Sequence, residues 1–254
     1  MSAAGDRFEP DEDRTLPLGV PVPAAEEAGR RRRFGPLRRI GRWVLYVLGG
    51  YYLLCVLLLV VYRFVPPPTT GVQMQRRVEA VLSGSDYRKE HERVSLEALP
   101  AHVGRAVVAA EDGDFWNHSG FAWGEMISAG TEAASGVRIR GASTITQQLV
   151  KNLFGTTHPN PLRKVYDLTL TPVAELVLGK ERILELYLNE VEWGEGRWGI
   201  ESGAQHHYGV SATELSRTQA AGMAALLPNP RGRTPANTPR YRAEILRRMG
   251  ARGW

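Results

Sequence analysis

Three carboxylates fall within four residues in the stretch AAEDGDFWNHSG, from Ala109 to Gly120. The small and β-branched residues before it are typical of a buried helix, which would end near Glu111. The negative end of a helix and apolar burial both disfavour a charged carboxylate, so the pKa of Glu111 would rise towards the range of a general base. Asp112 and Asp114 add like charge, and His118 could orient a carboxylate. A solvated turn or a helix cap explains the same loop, and this stretch alone leaves both readings open.

A second polar stretch, GASTITQQLVKN, runs from Gly141 to Asn152. On a helix its polar side chains recur at i, i+3, i+4 and i+7, and they therefore share one face. That face would suit sugar hydroxyls or a phosphate, although an ordinary solvent-facing helix surface has the same spacing. The residues on this face are Thr144, Gln147, Gln148 and Lys151.

A third stretch, RKVYD, places Arg163 and Asp167 four residues apart, with Lys164 next to the arginine. The simple interpretation is a helix salt bridge that contributes ~0.3–0.5 kcal/mol. The functional interpretation is a cationic clamp for an anionic leaving group, because the arginine fork matches phosphate geometry.

The elements that must position these groups are helices. No segment alternates clearly as a strand, so the sequence predicts a mainly α fold. One helix would have Asn160 as its N-cap and Pro161 at its first position, and Pro172 should kink it. The segments with helical spacing are EALPAHVGRAVVAAE, FAWGEMISAGTEAAS, STITQQLVKNLF, NPLRKVYDLTLTPVAELVL, KERILELYLNEV, IESGAQHHYG, SATELSRTQAAGMAALL and TPRYRAEILRRMGAR.

An uncharged apolar segment runs from Trp43 to Tyr62. At 1.5 Å rise per residue it would span about 30 Å, the hydrocarbon thickness of a bilayer. Seven arginines lie between Arg30 and Arg42, and only Arg63 closely follows the segment. The positive-inside rule therefore keeps the N-terminus in the cytoplasm. A cleaved signal peptide or a buried core helix is the alternative, but the length and the stiff FVPPPTTG spacer favour a retained anchor.

The formal net charge of +5 comes mainly from this basic run, and the rest of the chain is close to neutral. This distribution argues against nucleic acid and for a membrane. The single cysteine, Cys55, excludes an intrachain disulfide and a Cys-based metal site. We divide the chain into a disordered cytoplasmic tail with a basic collar (1–42), a transmembrane anchor (43–65), a linker with the start of the outer domain (66–89) and the main outer domain (90–254).

Four stretches stand in a fixed order over residues 90–235: AAEDGDFWNHSG, GASTITQQLVKNLF, RKVYD and RILELYLNEVEWGEGRWGIESGAQHHYG. Together they resemble the glycosyltransferase domain of family 51, the peptidoglycan glycosyltransferases. The specific signals are Glu-Asp-x-x-Phe-x-x-His-x-Gly and Gly-x-Ser-Thr-Ile-Thr-Gln-Gln. The resemblance implies a lysozyme-like, two-lobed helical glycosyltransferase domain over residues 90–254, behind a single transmembrane helix. Because the chain ends at Trp254 with no transpeptidase domain, we expect the monofunctional type.

The family polymerises lipid II, and the resemblance implies this enzyme activity here. The growing glycan chain on its lipid diphosphate would be transferred, with inversion, to the 4-hydroxyl of lipid II. The expected partners are lipid II, the growing chain, the membrane and other cell-wall synthesis proteins, with no nucleic acid. The expected location is the bacterial inner membrane, crossed once, with the catalytic domain in the periplasm.

The resemblance also assigns roles to residues. Glu111 would be the general base and Asp167 an assisting catalytic carboxylate, while Arg163 and Lys164 would stabilise the leaving diphosphate. A divalent cation, Mg²⁺ or Mn²⁺, would bind with the substrate diphosphate, without a dedicated protein site. The further substrate-binding residues would be Asp112, Phe115, His118, Thr144, Gln147, Gln148, Lys151, Asn152, Tyr187 and Asn189. Trp123, Met126 and Ile127 would either face the membrane or pack inside, and the His206–His207 pair would lie at the surface or serve packing.

Three positions depart from the family pattern: Asp167 stands where Glu is usual, Pro159 where Arg is common, and Ala122 where Asp is frequent. Two other readings stay open. A lysozyme-like lytic cleaver would use the glutamate as an acid on finished glycan. A catalytically silent membrane scaffold would need no chemistry. The cationic residues argue against the cleaver, since hydrolysis of an uncharged glycosidic bond needs no diphosphate clamp.

Overall fold

The structure is a computed structural model that describes residues 35–122, 124, 143–158 and 161–254, with side chains from residue 38 and, in the last range, from residue 164. The described helices are α1 (Gly35–Tyr62), α2 (Gly71–Ser83), α3 (Ala101–Glu111), α4 (Ile145–Phe154), α5 (Pro161–Leu178), α6 (Lys180–Glu190), α7 (Ile200–Tyr208), α8 (Arg217–Ala224) and α9 (Pro239–Ala251). Short 3₁₀ turns cover Leu96–Ala98 and Ala212–Glu214. The prediction of a mainly α fold is confirmed.

Helix α1 contains one segment long and apolar enough to cross a membrane, Arg38–Tyr62, with 25 residues and a mean hydropathy of 2.5. The chain divides into two units, Met1–Gly50 and Tyr51–Trp254. In the first unit, apolar side chains such as Trp43 and Leu45 are exposed, as expected for a surface that faces lipid. In the second unit, Cys55 and Leu59 are buried in the core.

In the second unit, the C-terminal end of α3 lies beside the N-terminal end of α4. Helix α3 packs against α8 and α9, while α4 packs against α2, α5 and α6. The small residues of α3, from Ala106 to Ala109, are buried and allow close helix contact. Ile145, Leu149 and Val150 form the buried face of α4 and leave its polar face for other contacts.

Three short strands form a sheet that the sequence did not indicate. Strands β1 (Glu90–His91), β2 (Glu192–Gly194) and β3 (Arg197–Trp198) lie in the order β1-β3-β2, with β1 parallel and β2 antiparallel to β3. Two or three residues are too few to show an alternating pattern, so periodicity alone could not reveal these strands.

Several element boundaries differ from the sequence-based predictions. Helix α2 lies in the segment 66–89, which we assigned to a linker with the start of the outer domain, and Thr70 caps it through a bond from the Gln73 backbone N–H. Helix α5 begins at Pro161 as predicted and continues through Pro172 to its end at Leu178. The predicted helix FAWGEMISAGTEAAS and the predicted N-cap Asn160 lie outside the described residues, apart from Phe121, Ala122 and Gly124 of that helix.

Candidate active site

Glu111 is the last residue of α3, as the sequence predicted. The last backbone carbonyl groups of a helix have no hydrogen-bond donors within the helix. At the end of α3, side chains of α9 donate to these carbonyls. The Tyr241 hydroxyl donates to the Ala110 carbonyl at 3.2 Å, and Nη1 of Arg248 donates to the Ala109 carbonyl at 3.2 Å. Helix α9 therefore fixes the backbone from which the Glu111 side chain projects.

The Glu111 carboxylate is held by a chain of hydrogen bonds across three helices. Nε2 of Gln148, on α4, donates to Oε2 of Glu111 at 2.8 Å. The hydroxyl of Tyr187, on α6, donates to Oε1 of Gln148 at 2.9 Å. Nδ2 of Asn152 donates to the Gln148 backbone carbonyl at 2.8 Å, one turn further along α4. The structure thus brings together four residues that the sequence had placed in one site.

The pKa of Glu111 is raised above its ordinary value, chiefly because burial removes water from the carboxylate. The Gln148 hydrogen bond and the charges of Lys151 and Arg233 oppose this shift, while the like charge of Asp112 adds to it. Part of the Glu111 side chain stays accessible to solvent. A carboxyl with a raised pKa that substrate can still reach is suited to accept a proton near neutral pH.

Asp112, which follows Glu111, holds the acidic loop in place. Its carboxylate is buried, with Oδ1 lying 2.8 Å from Nε2 of His118. The Ile145 backbone N–H donates to Oδ2 at 3.0 Å, and Nδ1 of His118 accepts from the Gly120 N–H at 3.0 Å. These bonds tie the acidic loop to the first turn of α4. Direct binding of substrate by Asp112 or His118 stays a prediction.

Thr144 and Gln147 form a reciprocal capping box at the start of α4. The Gln147 N–H donates to the Thr144 hydroxyl oxygen, and the Thr144 N–H donates to Oε1 of Gln147 at 3.0 Å. The Thr144 hydroxyl also donates to the Gly120 carbonyl at 2.7 Å. Gly120 has φ +91°, and a Cβ there would lie 2.6 Å from Thr171 Cγ2, so only glycine fits at this crossing. The capping box and the bond to Gly120 give Thr144 and Gln147 a structural role. Substrate binding by these two residues stays a prediction.

Phe115 is fully buried beneath the acidic loop. The Lys180 ammonium lies 4.4 Å from the centroid of its ring and 2.8 Å from Oε1 of Glu175. The Thr146 hydroxyl donates to the same carboxylate oxygen at 2.6 Å. This cluster joins the loop to α4, α5 and α6, and it places Phe115 in the core below the site, with no exposed surface for substrate.

The remaining predicted residues lie on α4, α5 and α6. Lys151 is on α4, and its charge acts on Glu111. Lys164 is exposed on α5 and Asp167 is half-buried one turn later, while the Arg163 side chain lies outside the described atoms, as do Trp123, Met126, Ile127 and Pro159. Asn189 is not brought to Glu111 by any described bond, because its side-chain amide pairs with both backbone groups of Val94. The catalytic and binding roles of these residues stay predictions.

Two residues near Glu111 were missed by the sequence interpretation. Arg233 is held by a bond from Nη1 to the Ala225 carbonyl at 2.9 Å, and its guanidinium lies 5.4 Å from the centroid of the Tyr241 ring. Both line a cavity of about 560 Å³ together with Asn237, Thr238, Pro239 and Arg240. Arginine is frequent along the whole chain, so no local signal distinguished Arg233. The predicted histidine pair lies on α7, where Nε2 of His207 lies 2.7 Å from the Trp193 carbonyl oxygen.

The described residues contain no group of three or more His, Cys, Asp or Glu side chains placed to hold a metal ion. Asp112, the carboxylate next to Glu111, is already bonded to His118 and to the Ile145 amide. Within the part of the chain that the structure describes, the side chains at this site therefore form no such donor set for a divalent cation.

The partly buried Glu111 at the end of α3 lies beside Gln148 and Lys151 of α4 in a mainly helical domain. The chain belongs to the transglycosylase family, whose family model, described as Transglycosylase, matches residues 76–250. A protein of Ectopseudomonas mendocina (strain ymp) named biosynthetic peptidoglycan transglycosylase is 42% identical over 217 residues, 84% of this chain and 90% of the relative. Proteins of the same name from Chromohalobacter salexigens and Shewanella frigidimarina are each 44% identical, over 77% and 80% of this chain and 83% and 86% of their own lengths.

Proposed function

We propose that this protein is a membrane-anchored peptidoglycan glycosyltransferase that polymerises lipid II into glycan strands. The observation that carries the proposal is the Glu111 carboxyl, which is partly buried, has a raised pKa and is held by Gln148 in a transglycosylase domain. The curated relatives support the substrate class, since each is named as a biosynthetic peptidoglycan transglycosylase.

The proposed reaction is a single displacement at the anomeric carbon of the growing chain. The 4-hydroxyl oxygen of the N-acetylglucosamine on lipid II forms the new bond to that carbon, and its proton passes to Glu111. The bond from the carbon to the diphosphate oxygen breaks with inversion, and the electron pair leaves on the lipid diphosphate. General-base catalysis by a positioned carboxylate contributes about 10²–10⁴-fold to such a step.

Cationic side chains would stabilise the leaving diphosphate as its charge develops. Lys151 acts on Glu111 from α4, and the exposed Lys164 on α5 is a second candidate, together with Arg163. Asp167 would assist from the same helix. A divalent cation, Mg²⁺ or Mn²⁺, enters this proposal only as a companion of the substrate diphosphate, whose charge it would neutralise.

Helix α1 would place this chemistry at the membrane that carries the lipid-linked substrate. The seven arginines from Arg30 to Arg42 precede the apolar segment, and Arg63 follows it. This asymmetry supports a cytoplasmic N-terminus and a catalytic domain on the outer side of the bacterial inner membrane.

The orientation is tested with two single-cysteine variants, Val20→Cys and Ala236→Cys, each in a Cys55→Ser background. Intact cells are labelled with a maleimide that cannot cross the membrane. We expect labelling at residue 236 alone.

The function is tested with the purified full-length protein in detergent micelles. One arm contains lipid II, with Mg²⁺, Mn²⁺ or a chelator, and a second arm contains finished glycan. We expect glycan strands in the first arm and no cleavage in the second. Glu111→Gln should abolish polymerisation without loss of fold. The matched variant Asp114→Asn should retain activity, because Asp114 is exposed and its described side-chain bond, from Asn117, lies within its own loop. Cleavage of glycan without polymerisation would make the protein a lytic enzyme, and inactivity in both arms would make it a scaffold.

A further inference from the structure

We propose that Tyr187 is a positioning residue, whose hydroxyl orients the side-chain amide of Gln148 so that an N–H group faces the Glu111 carboxylate. This inference rests on the proposed role of Glu111 as the general base. It changes the role of Tyr187 from a residue that lines the substrate cleft to a buried residue that acts through Gln148.

The geometry around Gln148 leaves the amide one way to satisfy its neighbours. Oε1 accepts from the Tyr187 hydroxyl at 2.9 Å, and Nε2 donates to Glu111 at 2.8 Å. Nε2 also lies 3.4 Å from the Ser143 carbonyl, which accepts its second hydrogen. Rotation of the amide by 180° would turn Oε1 towards both the Glu111 carboxylate and the Ser143 carbonyl, where two acceptors would meet without a proton between them.

Tyr187 can hold this orientation because its hydroxyl stays a donor. The side chain is fully buried, and burial raises the pKa of the phenol well above its ordinary value. The hydroxyl therefore keeps its proton at every pH at which the enzyme can be assayed. Its proton points at Oε1 of Gln148, and this bond adds to the preference for the amide orientation that Glu111 and the Ser143 carbonyl also favour.

The consequence for Glu111 concerns both its position and its affinity for a proton. An N–H donor stabilises the charged form of a carboxylate and keeps its pKa lower than burial alone would allow. Without Tyr187 the amide would lose the partner of Oε1 and would be held less firmly in this orientation, and Glu111 would lose part of that bond. The base would then be protonated to a higher pH, and its free oxygen would be less well aligned with the acceptor hydroxyl.

The test compares polymerisation of lipid II by the wild type, Tyr187→Phe, Gln148→Ala and the double variant, each over a range of pH. We expect Tyr187→Phe to lower kcat about tenfold at low pH, with KM nearly unchanged. The acidic limb of its pH profile should move to higher pH, and the defect should shrink as the pH rises. In the Gln148→Ala background, Tyr187→Phe should add no further loss, since it acts through that amide.

Tyr208→Phe is the matched control, because it removes a phenol hydroxyl from α7 in another part of the core, beside Gly222. Melting temperatures of all variants identify any that fail to fold, and Gln148→Glu is the second probe, because its carboxylate cannot donate to Glu111. An unshifted acidic limb, or an equal loss from Tyr187→Phe with and without Gln148, would overturn the inference. Absence of polymerisation by the wild type would instead reject the proposed function, so the two failures are distinguishable.

Discussion

Nε2 of His118 lies 2.8 Å from Oδ1 and 3.0 Å from Oδ2 of Asp112, so the imidazole spans both oxygens of a buried carboxylate. The same carboxylate accepts the Ile145 backbone N–H at 3.0 Å, at the first residue of α4. Asp112 therefore joins the loop that follows α3 to α4, the helix that carries Gln148 and Lys151. Of the two consecutive acidic residues, Glu111 is the proposed base, and Asp112 holds the loop to α4.

Replacement of Asp112 by alanine should destabilise the protein strongly. It would leave the Ile145 N–H and the His118 ring without their buried partner, a loss of about 2–4 kcal/mol in the free energy of unfolding. Activity should fall with stability, because the start of α4 is released. Thermal unfolding of the detergent-solubilised protein measures the first effect, and lipid II polymerisation the second.

The control for this prediction is Asp114→Ala in the same loop. Asp114 is exposed, and its Oδ1 accepts from Nδ2 of Asn117 at 2.6 Å. A substitution at such a site changes stability by no more than about 0.5 kcal/mol. Equal destabilisation by the two alanine variants would show that Asp112 does not anchor the loop to α4.

The sequence could predict the parts of this site that depend on local signals. The end of α3 at Glu111 follows from a run of small apolar residues that meets a polar loop, and the Thr144–Gln147 pair matches a capping box. Spacing alone could not separate Gln147, which caps its own helix, from Gln148, which reaches Glu111. That distinction depends on which side of α4 faces α3, and only tertiary packing fixes it.

The residues that the sequence did not indicate act from a distance along the chain. Arg233 and Tyr241 lie more than 120 residues after Glu111. Tyr241 approaches it because α9 packs on α3, and Arg233, which precedes α9, is held by the Ala225 carbonyl and lies over the Tyr241 ring. Asn189 stands in a motif with Tyr187, but on a helix two residues apart point in different directions. Its amide therefore pairs with Val94, while Tyr187 faces Gln148.

Glu111→Gln should raise the stability of the protein at neutral pH. Burial raises the pKa of Glu111 above its ordinary value of 4.5, so the fold favours the neutral form. Below the ordinary pKa the carboxyl is protonated in both folded and unfolded chains, and no stability is lost. As the pH rises through the folded-state pKa, the fold must hold a buried charge and becomes less stable. Glutamine removes that cost and can still accept from Gln148.

Melting temperatures of the wild type and Glu111→Gln between pH 4 and pH 8 check this prediction. The variant should melt a few degrees higher at pH 8, and the difference should vanish towards pH 4. Glu97→Gln, at an exposed position, provides the comparison and should show no pH-dependent gain. If the variant is less stable than the wild type at pH 8, the charged Glu111 carboxylate does not destabilise the folded protein, and the prediction is wrong.

Arg233→Gln should move the acidic limb of the activity profile to higher pH. The positive charge of Arg233 lowers the pKa of Glu111 against the larger effect of burial. The proposed base must be unprotonated to work. Loss of the Arg233 charge should therefore reduce activity at low pH, where more Glu111 is protonated, and leave activity near that of the wild type at high pH. Arg247→Gln is the matched control, since Arg247 is exposed on α9 and paired with Glu244. A uniform loss at all pH values would indicate that Arg233 acts on substrate instead.

Lys151→Met should show two effects that pH separates. The charge of Lys151 also lowers the pKa of Glu111, so its loss moves the acidic limb to higher pH, as with Arg233. In the proposed reaction the ammonium additionally stabilises the leaving diphosphate, and loss of such a group lowers kcat by about 10²–10³-fold. Glu111 is unprotonated at high pH in either variant. Arg233→Gln should therefore recover there, whereas Lys151→Met should not, and Lys151→Arg should restore most of the high-pH rate. Full recovery of Lys151→Met at high pH would limit this lysine to tuning the base.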